Sequence, residues 1–252
     1  MKGICHLCNE EKLLVESHII PEGFYKNIYD DKHRAWYASK FRNTKKIMQK
    51  GYREYLLCKN CDGEIIGKYD KYAIEVIRDK KHIKETDYIN ALKWDGLDYE
   101  LFKLFHLSVL WRAHISTETT RAVNLNTEET NEIKKYILSG TAPDELNYPI
   151  IGMSLVDPIN NIECDEIITF GNRYHCIGLT SAETYIFVFG GFAWHYIISN
   201  AQLSETTKSN ILRNSTSFRL QKENIREYKP IIDLLPSIGL VPENKRKSKP
   251  QK

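Results

Sequence analysis

Two Cys-x-x-Cys pairs, Cys5-His6-Leu7-Cys8 and Cys58-Lys59-Asn60-Cys61, constrain this chain more than any other feature of its sequence. Each pair turns two thiols toward one point. Two such turns complete a tetrahedral set of four thiolates with no open position, the arrangement of a structural zinc site. In a cytosolic setting, paired knuckles of this spacing are metal ligands more often than disulfides. A thioredoxin-like redox pair fits poorly, because neither pair lies in a βαβ pattern. The expected ligands of a structural Zn²⁺ are therefore Cys5, Cys8, Cys58 and Cys61. Between the pairs lie 49 residues, more than a usual finger, so a substantial insert must loop out. Cys164 and Cys176 stand apart in a β-rich stretch and read as buried, inert thiols.

The insert carries charge of one sign. From Lys32 to Arg53 there are eight basic residues and no acidic one, with Trp36, Tyr37, Phe41 and Tyr52 interleaved. Cations bind phosphates and release counterions, while aromatic faces stack on bases. A merely solvated basic loop would not need the aromatics. Lys40, Arg42, Lys45, Lys46, Lys50 and Arg53 are accordingly the candidate nucleic-acid contacts. The net charge of +3 conceals an asymmetry: residues 1–84 balance at +6, residues 85–244 at −8, and residues 245–252 at +5. A basic N-terminal block on an acidic body suggests that the block meets a polyanion.

Glu16-Ser17-His18-Ile19-Ile20-Pro21 places a histidine ten residues after Cys8, on what reads as the first strand beyond the knuckle. After the second knuckle, the apolar positions 65, 66, 69, 73, 76 and 77 recur at helical spacing. That helix would begin at the zinc site, with Asp62 at its N-terminal end. In this order of knuckle, His-bearing strand, basic insert, knuckle and acid-bearing helix, the chain resembles the HNH endonuclease family, in the subset whose ββα core is held by two knuckles. The resemblance covers Cys5 to Pro21 and Leu56 to Tyr72. It implies that His18 is the general base and that Asp62 occupies the place of the ligand to a catalytic Mg²⁺ or Mn²⁺. It also implies DNA as substrate and a setting in bacterial genome defence, antiviral or mobile-element biology. The chain departs from the family pattern at three places. Ser17 precedes the base where many relatives have Asp or His. The middle Asn falls nearest Arg53, with Asn43 a looser match. The last position is Asp62 rather than His. Glu64, Tyr69 and Asp70 are possible helpers, although each alone reads as a helix-surface residue, with Tyr69 packed inward.

Beyond residue 84 the composition changes. Leu101 to His114 is apolar almost all round, which marks a buried helix. Its His106 and His114 read as core-packed, and Arg112 calls for a structural partner, because an unpaired buried charge is costly. Asn126 to Ser139 reads as an amphipathic helix with a capping-box start at Asn126 and Glu129, ended by Gly140. Five β-branched or aromatic runs follow: Ile150–Val156, Glu166–Phe170, Arg173–Leu179, Tyr185–Phe189 and Phe192–Ser199. A small antiparallel sheet beside helices is expected.

The organisation expected is thus α+β. An HNH-like zinc-knuckle nuclease unit spans 1–84 with its basic insert at 32–53, an α+β body spans 85–244, and a basic disordered tail spans 245–252. At 42% hydrophobic and 27% charged, the composition excludes wholesale disorder. No apolar run approaches the ~20 residues of a membrane-spanning helix, and Met1 to Cys5 leave no room for a signal peptide's apolar segment, so a cytoplasmic protein is expected. The alternative to a nuclease is a non-catalytic zinc-knuckle protein that binds nucleic acid or docks onto a larger complex through the 85–244 body. Whether His18 and Asp62 converge on an open metal position separates the two.

Overall fold

The computed structural model describes residues 1–39, 44–117, 123–159, 162–175, 183–198 and 203–233. Lys40, Arg42, Asn43, Cys176 and the tail at 245–252 lie outside them. Strands β1 (Lys2–Ile4) and β2 (Glu11–His18) pair antiparallel across the first cysteine turn. That turn closes through Asn9, whose backbone N–H donates to the Cys5 carbonyl at 2.8 Å with φ at 60°. Asn tolerates this left-handed conformation better than most residues. A 3₁₀ turn, Glu22–Tyr25, follows Pro21. Strands β3 (Ala35–Ser39) and β4 (Thr44–Met48) form a separate antiparallel ribbon within the insert. Strand β5 (Arg53–Cys58) then returns against β2, pairing Leu14 with Cys58 and His18 with Arg53. Helical backbone continues from the second cysteine pair, with α1 (Gly67–Ala73) set between π-helical turns at Cys61–Ile66 and Ile74–Arg78. The helical spacing of positions 65 to 77 is thus realised, and Asp62 stands in the first turn.

Strands β6 (Lys84–Tyr88) and β7 (Ala91–Asp95) precede the long helix α2 (Tyr99–Ile115) and helix α3 (Thr127–Ser139). There follow β8 (Ile150–Asp157), β9 (Ile162–Glu163), β10 (Thr169–His175), β11 (Glu183–Phe189), β12 (Phe192–Ile197), α4 (Glu205–Lys208), β13 (Ser217–Asn224) and α5 (Lys229–Ile232). The architecture is mixed α+β. The expected small antiparallel sheet needs correction. Eight strands in the order β10-β11-β12-β8-β13-β7-β6, with β9 against β8, make one mixed sheet, and β13 runs parallel to β8. The sheet draws β6 and β7 from before α2 and β13 from the C-terminal stretch, so it reaches well beyond residues 148–199. The expected strand Glu166–Phe170 is also displaced: β10 begins at Thr169 and continues through Gly171-Asn172 to His175. The Gly-Asn pair between the two expected runs lies where the β10–β11 register shifts, with Gly171 at φ 48°. It is a bulge within a strand, as an isolated glycine in a strand often is.

Helix α2 is buried on almost every side, as its apolar run requires, and Asp98 caps it by accepting from the Leu101 N–H at 3.0 Å. Helix α3 carries the full capping box of Asn126 and Glu129 and ends on Gly140 at φ 73°. Every residue of β12 is buried. Phe192, Trp194 and Tyr196 face the main core, while Ala193 and Ile197 join two smaller apolar clusters. A strand covered on both faces loses the alternation of a half-exposed one. The Gly190-Gly191 turn into β12 has φ 63° and 84°, the doubly positive φ of a two-residue hairpin loop. A Cβ on Gly190 would come within 2.6 Å of Ile77.

One apolar core runs from Cys5, Leu14, Tyr69 and Val76 to Trp94, Phe105, Trp194 and Leu220, continuous across residue 84. Phe24 packs on Phe189 and Phe105, with centroids 5.1 and 6.2 Å away. Tyr69, packed inward, donates to the Ile137 carbonyl at 3.0 Å. Among the described residues no helix is long and apolar enough to cross a membrane.

Candidate functional site

The four knuckle cysteines converge. One Sγ from each of Cys5, Cys8, Cys58 and Cys61 lies within 4.8 Å of all the others, and none is in a disulfide. β1–β2 supply the first pair, and the end of β5 with the turn after it supplies the second. The donor set fits zinc. Four soft sulfurs gather at one point, and the backbone N–H of Cys58 donates to the Cys5 sulfur at 3.3 Å. Burial alone would raise the Cys5 thiol, yet hydrogen bonds from the backbone of Cys8, Cys58 and Leu7 bring it down to about 7. Burial pushes the Cys8 and Cys61 thiols up, a cost that ligation removes because a bound cation holds the thiolate form. Lys134, from α3, donates to the His6 carbonyl at 2.6 Å and to Asn9 Oδ1 at 2.7 Å, so a cation lies against this anionic cluster.

His18 ends β2, mostly buried, with 22% of its side chain exposed. Its Nε2 lies 2.6 Å from Glu22 Oε2. The approach is off the axis that a hydrogen bond requires, so neither buried atom has a hydrogen-bond partner among the described residues. The other Glu22 oxygen accepts from the Tyr29 hydroxyl at 2.7 Å. Burial holds the His18 imidazole below its ordinary pKa. The Glu22 charge opposes this, and Arg53 and Arg112 reinforce it. Burial thus favours the uncharged ring. Its backbone is fixed by Arg112, which donates from Nη1 to the His18 carbonyl at 2.8 Å.

Arg112 answers the demand its burial makes. Its remaining N–H groups reach Asp70 at 2.9 and 2.7 Å, the Ser108 carbonyl at 3.2 Å and Ser108 Oγ at 3.2 Å. All the donors of the guanidinium are thus used. Asp70 is spent on this pair, as a structural member of α1. Desolvation pushes its carboxyl up against the pull of Arg112, and the charge of Asp62 adds to the rise. Asp62 is half-buried in the turn after Cys61. Among the described residues, only the four cysteines converge as a metal-capable set; His18, Asp62 and Asp70 do not form a second one.

Among the candidate nucleic-acid contacts, Lys45 and Lys46 lie on β4, and Lys50 is exposed just after it. Arg53 is half-buried and paired with Glu16 at 3.0 Å. Glu64 is exposed on the helix. His106 is wholly buried with its Nδ1 2.8 Å from the Tyr196 hydroxyl, and the Nδ1 of His114 accepts from the Leu125 N–H at 3.2 Å. Cys164, expected to be buried, is half-buried. Sequence reasoning missed Glu22. Its signal was an acid four residues after His18, just past Pro21, in a segment with no periodicity to draw attention to it. No protein-family model, curated protein or solved structure matches this chain.

Proposed function

We propose that this chain is a metal-dependent endonuclease of the HNH type that cleaves DNA phosphodiester bonds. One observation carries the proposal: a mostly buried histidine at a strand end stands 2.6 Å from a carboxylate, in a strand–strand–helix stretch that carries four converging cysteines. His18 acts as general base, since an uncharged imidazole accepts the proton of an attacking water at physiological pH. Asp62 offers a hard oxygen ligand for Mg²⁺ or Mn²⁺. A single protein carboxylate is an adequate anchor, because Mg²⁺ keeps several waters and takes the rest of its shell from substrate phosphate. Bound there, the cation would neutralise charge on the phosphate and on the departing oxygen. Arg112 and Asp70 hold the backbone of the base against α1. Lys45, Lys46 and Lys50, with Lys40 and Arg42, grip the flanking phosphates, and Arg53 joins them if phosphate displaces Glu16. Zn²⁺ on Cys5, Cys8, Cys58 and Cys61 secures the scaffold.

A plasmid-nicking assay with Mg²⁺, with Mn²⁺ and with EDTA tests the proposal. Cleavage is expected with either cation and lost in EDTA. His18→Ala should slow it by ~10²–10⁴, the usual worth of a general base, with zinc content and DNA binding retained. Asp62→Ala should stop it, and excess Mn²⁺ should partly restore it. Full activity in a folded His18→Ala protein would transfer preference to a non-catalytic zinc-knuckle binding or docking protein.

A further inference from the structure

We infer that Glu22 is the positioning residue for His18, orienting the imidazole that acts as base. This rests on the nuclease reading above. Arg53, the nearest match to the middle position, stands opposite His18 in the β2–β5 register and is itself held by Glu16. The 3₁₀ turn after Pro21 instead brings Glu22 Oε2 to 2.6 Å from His18 Nε2. Both atoms are buried, and neither makes a hydrogen bond elsewhere among the described residues. Such a pair needs each other. A small rotation of the ring aligns Nε2–H on the carboxylate, and loosely aligned catalytic contacts in unliganded proteins commonly tighten in this way. The Tyr29 hydroxyl holds the second carboxylate oxygen at 2.7 Å, which fixes the orientation of Glu22 in turn.

The chemistry follows from the tautomer. With Nε2 carrying the proton toward Glu22, the lone pair on Nδ1 is the one left to accept a proton from water. The imidazolium that forms is stabilised by the carboxylate it already faces, the logic by which an acid orients a histidine base. The charged groups facing His18 are Glu22, Arg53 and Arg112, with Asp70 behind Arg112. Of these, Glu22 alone favours the protonated ring through a direct side-chain contact.

The test compares wild type, Glu22→Gln and Glu22→Ala on supercoiled plasmid with Mg²⁺ across pH 5.5 to 9, alongside zinc content and melting temperature. Glu22→Ala should lower kcat by roughly ten- to a hundredfold with KM for DNA and zinc content unchanged. The acid limb of its pH profile should move down, since the group that raises the His18 pKa is gone. Glu22→Gln keeps an oxygen acceptor for Nε2–H and should recover much of the rate while keeping the displaced limb. An active wild type whose kcat and acid limb are untouched by Glu22→Ala overturns this inference and leaves the nuclease reading standing. A parallel fall of zinc content and melting temperature, with no recovery in Glu22→Gln, overturns it in favour of a structural role. A wild type that does not cleave overturns the reading itself, and the inference with it.

Discussion

Lys103 lies fully buried in α2, its ammonium donating to the Tyr148 carbonyl at 2.7 Å. Desolvation pulls its pKa down to about 7, against the opposing pull of Asp144 and Glu145, whereas a lysine in an unfolded chain titrates near ~10.4. Between those values the unfolded chain binds a proton that the folded one does not. Stability therefore rises with pH across this window, and the contribution is lost as pH falls toward 7. The limiting slope for one proton is about 1.4 kcal/mol per pH unit. Lys103→Met fills similar volume with no charge to desolvate. Urea unfolding of both proteins at pH 7, 8 and 9 should show the wild type gaining on the variant at each step, and a difference independent of pH would mean that Lys103 is not desolvated as described. Arg112, on the same helix, shows how far single residues were legible. Its need for a partner followed from its apolar surroundings alone. That the partners are Asp70 and the His18 carbonyl did not, because those hydrogen bonds span 42 and 94 residues of sequence. The same limit explains Glu22, whose role depends on a turn rather than on a periodic element.

At the level of elements, local chemistry was a good guide and long-range pairing was not. Helix α3 announced itself through Asn126, Glu129 and Gly140, because caps are satisfied by neighbours in sequence. The cysteine pairs were legible for a related reason: metal coordination selects their spacing. Strand β6, Lys-Glu-Thr-Asp-Tyr, looked nothing like a strand. It sits at the exposed edge of the sheet, where charged side chains guard against pairing with another chain. Strand β13 alternates only at Phe218 and Leu220, and its parallel neighbour β8 is fixed by packing rather than by any local signal. The β3–β4 ribbon carries Lys45 and Lys46 out of the main sheet. Replacing Lys40, Arg42, Lys45 and Lys46 with Ala should weaken DNA binding and flatten its salt dependence, by about 0.9 in the log–log slope for each phosphate no longer neutralised. Melting temperature should hold, since the ribbon pairs with no other strand among the described residues. An unchanged slope would return the segment to a solvated basic loop.

The whole molecule behaves as one body if its core is the judge. The cysteine knuckle touches α3 through Lys134, α1 reaches α2 through Asp70 and Arg112, and Phe24 packs into the aromatic cluster around Phe105 and Phe189. Structural zinc sites contribute ~10–16 kcal/mol of apparent binding free energy at neutral pH, while domains are stable by only ~5–15 kcal/mol. Loss of such a metal is therefore comparable to the margin of the entire fold, not of the knuckle alone. Of the four tryptophans, Trp94, Trp111 and Trp194 are buried in the core outside the knuckle, which makes them reporters of the remote effect. Elemental analysis should find one zinc per chain. Stripping it with excess chelator should shift tryptophan emission to the red and lower melting to a single, earlier transition, and restoring Zn²⁺ should reverse both. If the chelated protein keeps its buried tryptophan emission, or melts in two separate steps, then residues 1–84 fold apart from the body and the continuity of the core does not carry cooperativity.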